Sequence, residues 1–282
     1  GGEFIQKKHY VLGVGTGVLD RVTGGGFGFG LEGNVRAGYN WLVQHYHGAD
    51  ADGAGDEIYI FGFSRGAYTA RSLVGFISCC GLLRRGAPLT VSQLWTAYCL
   101  LGRKKEERDG GWERVFGESD PGMRPLNRLV IDPWLTQPRE GGPDCSAGAD
   151  GQPRDLEFRP DIGWDKLNAT ECLLVRWSRR VPVTFLGVYD TVGAMGFDAL
   201  AIPGLTSKLA LHHNMQPTSL IQHCRHALAI YEHRSGFSHT PLQAFIPHAT
   251  DEEWETKRAR WAACIEQRWF VGAHSNIGGG YE

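Results

Sequence analysis

The 282-residue sequence lacks several features that would assign it to a membrane, nucleic-acid-binding or disulfide-rich class. It contains no apolar run of about 18 residues, the length that a transmembrane helix requires. Its formal net charge is only −2, whereas a nucleic-acid-binding surface normally needs a basic excess on one face. Apolar residues make up an ordinary 42% of the chain, so we expect a globular domain with no nucleic-acid partner.

Paired cysteines and a signal segment are also missing. The seven cysteines are odd in number and form no Cys-x-x-Cys pair. We therefore expect reduced thiols and no zinc site. No other feature of the sequence implies a metal or an organic cofactor. The first residues, Gly-Gly-Glu-Phe-Ile-Gln-Lys-Lys, contain none of the apolar stretch of a signal peptide. This favours a cytoplasmic protein, with export by a dedicated secretion system as the alternative.

Segments rich in β-branched and aromatic residues alternate with segments of helical spacing. They predict strands over residues 8–17, 57–63, 182–189 and 268–273, and helices over residues 35–46, 67–81 and 219–231. Asn34 is expected to cap the first helix, because the glycine-rich run 24–33 before it is too flexible for a regular element. The alternation is typical of an α/β fold, with a mostly parallel sheet and helices on both of its faces.

The middle of the chain has a different texture. Residues 101–170 are rich in Arg, Asp, Glu, Gly and Pro and show no clear hydrophobic period. So long an irregular stretch inside a compact domain is usually functional or partly disordered. We therefore expect one domain over residues 1–282, with a cap or lid insertion at 84–180. Three tryptophans of this region either belong to the core or roof an apolar cleft: Trp95, Trp112 and Trp134.

Ser64 lies between two glycines in Gly62-Phe-Ser-Arg-Gly66, which fits the pattern Gly-x-Ser-x-Gly. In this pattern a serine occupies a strained turn between a buried strand and a helix, where the glycines avoid steric clashes. The predicted strand and helix on either side supply that context. The sequence therefore predicts Ser64 as a nucleophile and the backbone N–H of Arg65 as a donor to an oxyanion, although a tight turn of small residues gives the same pattern.

A nucleophilic serine needs a base and a residue that orients the base. Asp190 and His274 each follow a later predicted strand, and the carboxyl ends of parallel strands meet at one edge of a sheet. The chain order Ser64, Asp190, His274 is also the order found in α/β-hydrolases. Asp132 is the rival acid, and we favour Asp190 because Asp132 lies in the predicted insertion.

The other histidines that were compared with His274 fit structural roles better. Some lie on or near the helix predicted at 219–231 and are expected to pack or to pair with acids. The others lie in loops that no predicted strand enters. These residues are His212, His213, His223, His226, His233 and His239.

Two features of the sequence are candidate phosphate-binding sites, and neither is favoured in that role. The side chains of Arg65 and Arg71 either hold an anionic group or tie down loops, and the second role is the more common for such a pair. The glycine run 24–30 lacks the Gly-Lys-Ser/Thr ending of a P-loop.

Four blocks of sequence and an early glycine loop together resemble one known family. The blocks are Phe61-Gly-Phe-Ser-Arg-Gly-Ala-Tyr-Thr-Ala-Arg71, Gly187-Val-Tyr-Asp-Thr-Val-Gly193, Arg225-His-Ala-Leu-Ala-Ile-Tyr-Glu-His-Arg234 and Trp269-Phe-Val-Gly-Ala-His-Ser-Asn-Ile-Gly-Gly-Gly-Tyr281, and the loop is Gly13-Val-Gly-Thr-Gly17. They resemble the α/β-hydrolase family of uncharacterised domains that includes the phospholipase effectors of type VI secretion. The resemblance implies a hydrolase of ester bonds, best known on phospholipids, with Ser64 as nucleophile, Asp190 as orienting acid and His274 as base.

We therefore expect a serine ester hydrolase of phospholipase A, lipase or carboxylesterase type, acting on a lipid or small ester with transient contact to membrane surfaces. The substrate contacts expected are Gly15, Thr16, Phe63 and Trp134. Family members usually begin with a strand that ends in Asp-Gly-Thr, and this sequence does not show one. The alternative is a truncated or inactive hydrolase fold that serves as a binding or assembly module. The sequence leaves the oligomeric state open.

Overall fold

The computed structural model describes residues 5–13, 26–48, 55–101, 105–116, 124–126, 167–192, 218, 220–233, 239–242 and 251–279. The helices are α1 (Gly26–His45), α2 (Arg65–Cys80), α3 (Val91–Leu100), α4 (Lys105–Phe116), α5 (Ala169–Trp177), α6 (Asp251–Cys264) and α7 (His274–Ile277). The strands are β1 (Tyr59–Phe63), β2 (Leu82–Leu83), β3 (Ser178–Arg179), β4 (Val183–Tyr189), β5 (Ile221–Ala229) and β6 (Ile265–Phe270). This alternation of strands and helices makes the described part of the chain an α/β fold.

The main sheet contains four parallel strands in the order β1-β4-β5-β6. Gly62 of β1 lies opposite Val188 of β4, which in turn lies opposite His226 of β5. Because the four strands run in the same direction, their carboxyl ends share one edge of the sheet. Ser64, Asp190 and His274 follow β1, β4 and β6 at this edge.

Helix α2 separates the sheet from a second layer of helices. On its sheet side, small residues such as Ala67 pack in one cluster with Leu186. On its other side, Phe76 contacts Tyr39 of α1 and Trp95 of α3, with ring centroids 4.4 and 5.1 Å apart. Burying one such aromatic side chain stabilises the fold by about 1.5–3 kcal/mol. The helix that begins next to Ser64 is therefore fixed from both sides.

The two faces of the main sheet are covered differently. Both α2 and α6 pack with the apolar cluster on one face, where Trp261 and Ile265 also contact it. The opposite face exposes Tyr59, Phe61 and Phe63 of β1, which are 55%, 60% and 37% accessible. Helices on both faces of the sheet therefore stay a prediction.

Four predicted elements are confirmed. β1 and β4 match the strands predicted at 57–63 and 182–189, and α2 matches the helix predicted at 67–81, with ends that differ by no more than two residues. The last predicted strand, at 268–273, is β6, which begins and ends three residues earlier. Dense apolar segments bounded by glycine and charge were sufficient signals for these elements.

The helix predicted at 35–46 is present as the later part of α1, but the predictions for residues 8–34 are wrong where the structure describes them. Residues 8–13 form neither strand nor helix, and Tyr10 and Leu12 are 82% and 72% exposed, so no strand face is buried there. Residues 14–17 lie outside the described segments. The glycine run is not irregular throughout, because α1 already begins at Gly26. Each glycine in a helix lowers the stability of that helix by about 1 kcal/mol relative to alanine. The burial of the later turns of α1 offsets this loss.

Asn34 therefore lies inside α1 and does not cap it. Its side-chain amide donates a hydrogen bond to the backbone oxygen of Leu12 at 2.9 Å. This bond ties the N-terminal segment to the helix. The apolar positions that predicted the helix, Val35 and Tyr39, are fully buried as expected.

The helix predicted at 219–231 is also wrong, because this segment is the strand β5. Cys224, His226 and Leu228 are buried while Arg225 is exposed, which is the two-residue period of a strand. Leu, Ala and His do not oppose a helix locally, and hydrogen bonds to β4 and β6 on both sides decide the outcome.

The middle of the chain contains more regular structure than its composition predicts. Helix α4 lies within the stretch that was expected to be irregular, and its Gly111 lies so close to Leu100 of α3 that a Cβ would approach that side chain to 2.7 Å. Trp95 and Trp112 are each 3% exposed and belong to the core, not to a cleft. Trp134 lies outside the described segments, and the insertion at 84–180 stays a prediction.

Candidate active site

Ser64 occupies a strained turn between β1 and α2. Its φ of 58° and ψ of −120° are rarely adopted by residues with a side chain. A Cβ at Gly62 would lie 2.3 Å from the carbonyl oxygen of Gly66, so only glycine fits at position 62. No atom of the described residues lies within 4 Å of where a Cβ of Gly66 would be, so the expected clash at both glycines is confirmed for Gly62 alone in the described part of the chain. The turn leaves Ser64 partly exposed at the carboxyl edge of the sheet.

Ser64, His274 and Asp190 form a continuous chain of hydrogen bonds. The Oγ of Ser64 lies 2.7 Å from Nε2 of His274, and Nδ1 of His274 lies 2.6 Å from Oδ2 of Asp190. Because a carboxylate only accepts, Nδ1 carries the proton and Nε2 accepts from the serine hydroxyl. Asp190 is fully buried and His274 is 5% exposed. An arrangement of this kind can remove the hydroxyl proton as the serine oxygen attacks an electrophile.

The turn after β4 holds Asp190 by bonds to the strands on both sides. Asp190 has a positive φ of 42°, and its backbone N–H donates to the carbonyl of Ala227 in β5 at 2.7 Å. The N–H of Ala229 donates to Oδ1 of the carboxylate at 3.0 Å. On the other side, the N–H of Ser64 donates to the carbonyl of Tyr189 at 2.9 Å. The relative positions of Ser64 and Asp190 are therefore fixed through the backbone.

The electrostatic surroundings keep Asp190 ionised. Burial by itself acts to raise the pKa of this carboxyl, because it penalises the charged form. Hydrogen bonds from His274 and the N–H of Ala229, together with the charges of His239 and His274, outweigh the burial. The pKa of Asp190 consequently lies below its ordinary value of 3.8, and the group is a carboxylate at neutral pH.

Two glycines and an aromatic ring shape the segment that carries His274. Gly272 has a φ of 129°, and a Cβ there would lie 2.9 Å from that of Asn276. The ring of Phe63 lies against the imidazole of His274 with centroids 4.7 Å apart. A Cβ at Gly278 would meet this phenyl ring at 2.5 Å. The imidazole is thus held between the turn before α7 and the residue that precedes Ser64.

His239 contacts the same carboxylate, although the sequence analysis gave it no part in the site. Its Nδ1 donates to Oδ1 of Asp190 at 2.9 Å, and its side chain is 19% exposed. Its ring also meets Trp269 edge-on, at 5.1 Å between centroids. The contact depends on an isolated antiparallel bridge between Val192 and His239. No local pattern in the sequence signals such a bridge, because it joins a loop to a strand end 47 residues away.

His226 is buried beneath the turn that follows Asp190. Its Nδ1 donates to Oε1 of Gln267 at 2.9 Å, which leaves Nε2 to accept from the N–H of Thr191 at 3.3 Å. Burial, with the nearby charge of Arg71, lowers the pKa of His226 from 6.5 to about 4. A neutral imidazole therefore supports the turn, in a strand and not in the predicted helix.

Arg71 has the structural role that was favoured for it. Its guanidinium is 2% exposed, and Nη1 donates to the carbonyl of Thr240 at 2.5 Å. Burial lowers the pKa of Arg71 to about 10, so the group stays charged at neutral pH. The bond fixes the segment that begins at His239 to α2.

The remaining predicted residues are not placed. Gly15, Thr16, Trp134 and Asp132 lie outside the described segments, as do the loop histidines His212 and His213. Within the described segments, no three His, Cys, Asp or Glu side chains are grouped as metal ligands. The six cysteines described are free thiols. No helix in the described part of the chain has the length and apolarity to cross a bilayer.

Comparisons with known proteins place this chain in a family. A curated relative, the uncharacterized protein YEL023C of Saccharomyces cerevisiae, is 25% identical over 226 residues, which is 78% of this chain and 23% of the yeast protein. The chain thus spans about a quarter of that relative. No solved structure matches it. The model of the catalytic domain of Tle1-like type VI secretion phospholipase effectors matches residues 3–282. The chain therefore belongs to the family of Tle1-like phospholipase effector catalytic domains.

Proposed function

We propose that the chain is a serine ester hydrolase with an α/β-hydrolase fold, acting on phospholipids or related lipid esters through a Ser64–His274–Asp190 triad. Membership of a phospholipase family supports a lipid-hydrolysing function. The observation that carries the finer proposal is the unbroken chain from Ser64 Oγ through both imidazole nitrogens to the Asp190 carboxylate. Three residues distant in sequence meet at one edge of the sheet, and their hydrogen bonds run in the direction that removal of the Ser64 proton requires.

The proposed reaction has two halves with one covalent intermediate. Ser64 Oγ bonds to the ester carbonyl carbon as its proton moves to Nε2 of His274. The carbon–oxygen bond to the alcohol then breaks, and His274 returns the proton to the departing oxygen. In the second half, water loses a proton to His274 and its oxygen bonds to the carbonyl carbon of the acyl-enzyme. The bond from that carbon to Ser64 Oγ then breaks, His274 returns the proton to Oγ, and the fatty acid is released. Asp190 remains ionised, holds Nδ1 of His274 and stabilises the imidazolium.

The start of α2 is the proposed site for the oxyanion. Arg65 directly follows Ser64 and is the first residue of this 16-residue helix. Its backbone N–H is at the positive end of the helix dipole, where negative charge is stabilised. A single donor of this kind is worth roughly 3–4 kcal/mol in the transition state.

Substrate contact is proposed for Phe63 and for an exposed apolar segment at the same edge. Phe63 lies against His274 and is 37% exposed. At the carboxyl end of β6, Trp269 and Phe270 are 52% and 47% exposed, and Val271, the next residue, is 76% exposed. Aromatic and aliphatic side chains of this kind favour the interface between lipid and water. We propose that they touch the membrane transiently while an acyl chain enters the site. Gly15, Thr16 and Trp134 are retained as proposed substrate contacts.

Replacing Ser64 by Ala tests the function. Purified protein is incubated with mixed phospholipid vesicles and, separately, with short-chain p-nitrophenyl esters, and the products are identified by mass spectrometry. The wild type is expected to release fatty acid and lysophospholipid, whose positional isomers report which acyl bond is cleaved. S64A is expected to release neither.

The matched control for this experiment is Ser72→Ala. Ser72 lies on the same helix and is fully buried, and its hydroxyl has no hydrogen-bond partner among the residues that the structure describes. S72A should therefore retain activity. Ester cleavage by S64A at the wild-type rate would contradict the triad. An inactive but folded wild type would favour the alternative, in which the domain binds a partner without catalysis.

A further inference from the structure

The two oxygens of the Asp190 carboxylate have different partners. Oδ2 accepts from Nδ1 of His274. Oδ1 accepts from the N–H of Ala229 at 3.0 Å and from Nδ1 of His239 at 2.9 Å. A carboxylate offers about four lone-pair sites, so it can accept all of these bonds at once. Turning the carboxylate away from His274 would break two bonds to Oδ1, and its orientation is therefore fixed from the side opposite to His274.

The segment that carries His239 is anchored independently of Asp190. The N–H of Thr240 donates to the carbonyl of Thr191 at 2.9 Å, and the carbonyl of Thr240 accepts from the buried Arg71. Two residues later, the N–H of Leu242 donates to Oε1 of Gln267 at 2.8 Å. Hydrogen bonds to α2, to β6 and to the residue after Asp190 thus hold the backbone around His239 in place. The anchoring places its Nδ1 within hydrogen-bonding distance of the carboxylate in advance.

We propose that His239 is a positioning residue for this site, a second imidazole that holds Asp190 so that Oδ2 faces His274. The proposal rests on the proposed triad, because it matters for reaction only if His274 acts on Ser64. The hydrogen bond of His239 is to Asp190, and His239 acts on the site through that carboxylate. Its N–H takes up part of the carboxylate charge, which makes Asp190 a weaker base than it would be with His274 alone.

The charged and titratable groups around Asp190 come from several elements. His274 of α7 and His239 contact the carboxylate directly. His226 of β5 lies behind Thr191, and Arg71 of α2 lies near His226. Arg71 keeps its charge at neutral pH, and His226 remains neutral above about pH 4. Removing the His239 donor therefore leaves a more basic carboxylate. A more basic carboxylate favours the protonated form of the site, so activity should be lost at a higher pH than in the wild type.

Two substitutions separate the hydrogen bond from the packing of the ring. His239→Phe keeps a ring against Trp269 but removes the donor. His239→Asn removes the ring but places an amide N–H near the position of Nδ1. His223→Phe is the control, because His223 is exposed on the same sheet. The rate of fluorophosphonate labelling of Ser64, kcat, KM and the pH profile of kcat/KM are measured for all four proteins, after equal melting temperatures have been checked.

H239F is expected to label about tenfold more slowly, equivalent to about 1.4 kcal/mol, with KM unchanged. The acid limb of its kcat/KM profile should move up by about half a pH unit. H239N should recover to within about threefold of the wild type with an unmoved acid limb, because it keeps a donor. H223F should match the wild type. Equal rates and equal profiles in H239F and the wild type would overturn the proposal, as would an H239N that behaves like H239F.

A readout that needs no turnover keeps the two proposals apart. Carbon NMR of carboxyl-labelled aspartate, assigned with Asp190→Asn, follows the ionisation of Asp190 directly. The pKa of Asp190 should be higher in H239F than in the wild type, and close to the wild-type value in H239N. If wild-type Ser64 does not label, the proposed function fails while this titration still decides the role of His239. An identical Asp190 titration in the wild type and H239F would contradict that role in either case.

Discussion

Gly62 and Gly66 flank Ser64 at equal spacing, but within the described segments only Gly62 has a neighbour that excludes a side chain. A Cβ at position 62 would lie 2.3 Å from the Gly66 carbonyl oxygen, a backbone atom that cannot move without breaking the turn. Gly62→Ala should therefore lower the free energy of unfolding by about 3 kcal/mol or more. Thermal or urea denaturation measures this loss.

The control for this prediction is Gly66→Ala. Position 66 has open space and is the second residue of α2, where alanine is the better helix former. G66A should leave the unfolding free energy within about 1 kcal/mol of the wild type. A G62A protein as stable as G66A would show that the turn differs from the one described.

His226 makes the protein sensitive to acid. The pKa of His226 is about 4 in the folded protein, and its ordinary value of 6.5 applies in the unfolded chain. As pH falls, the unfolded chain therefore takes up this proton at a higher pH than the folded protein does. Stability should therefore fall between pH 6.5 and 4, by about 3 kcal/mol from this group. Asp190 acts in the same direction at lower pH, because its depressed pKa gives stability that is lost as pH falls through the folded value. Urea denaturation between pH 7 and 4 measures the His226 contribution, and its extension below the ordinary aspartate pKa of 3.8 measures that of Asp190.

A variant isolates the contribution of His226. His226→Asn keeps an amide donor for Gln267 but cannot take up a proton in this range. H226N should show a flatter decline in stability between pH 6.5 and 4, even if it is less stable at pH 7. An unchanged slope in H226N would assign the acid sensitivity to other groups.

The residues of the candidate site differ in how well the sequence reveals them. Ser64 is visible because the glycine pattern, the apolar strand and the helix lie within one short segment. Asp190 and His274 are visible because each follows a strand, and the ends of parallel strands converge. His239 is not visible, because its contact with Asp190 arises from a bridge between a loop and a strand end.

At the scale of elements, the N-terminal cap of α3 should affect the stability of the protein without affecting the candidate site. Thr90 caps α3, since its hydroxyl accepts from the N–H of Gln93 and the Gln93 side chain accepts from the N–H of Thr90. Thr90→Ala should cost about 1 kcal/mol in unfolding free energy and leave the labelling of Ser64 unchanged. Thr96→Ala, at a half-buried position in the middle of the same helix, should cost no more than about 0.5 kcal/mol, because alanine is the better helix former. Equal losses in the two variants would contradict the capping role of Thr90.

The elements that the sequence predicted correctly are those whose own residues determine them. β1, β4 and α2 have a single strong period and clear ends. β5 was predicted as a helix, because its buried positions Cys224, His226 and Leu228 are not the β-branched residues that usually mark a strand. The pairing of β5 with two parallel strands supplies the energy that its composition does not. The same reasoning explains α1, because the packing of its later turns stabilises its glycine-rich first turns.

At the scale of the whole molecule, a parallel sheet and the helix layer behind it bring three strand ends to one edge. The sheet order β1-β4-β5-β6 places the Ser64 turn next to the Asp190 turn, and β5 separates the latter from the strand that leads to His274. His274 reaches back across this gap through the turn after β6. The exposed residues Trp269, Phe270 and Val271 lie on the same segment. The proposed chemistry and the proposed membrane contact are therefore carried by one edge of the fold.

The membrane contact is tested at this scale by a double substitution. Phe270→Ser with Val271→Asp removes exposed apolar surface without touching the hydrogen-bonded site. Cosedimentation with phospholipid vesicles should fall at least about threefold, while hydrolysis of a soluble short-chain ester should keep the wild-type rate. Unchanged vesicle binding would exclude this segment as the membrane contact.

The most direct test of the central claim is the labelling of the purified protein with a fluorophosphonate, with mass spectrometry to locate the adduct. Only an activated serine reacts quickly with this probe. The account predicts one adduct on Ser64, formed at least about a hundredfold more slowly when His274 is replaced by Ala. A folded protein that gives no adduct on Ser64, or an adduct that forms equally fast without His274, would contradict it.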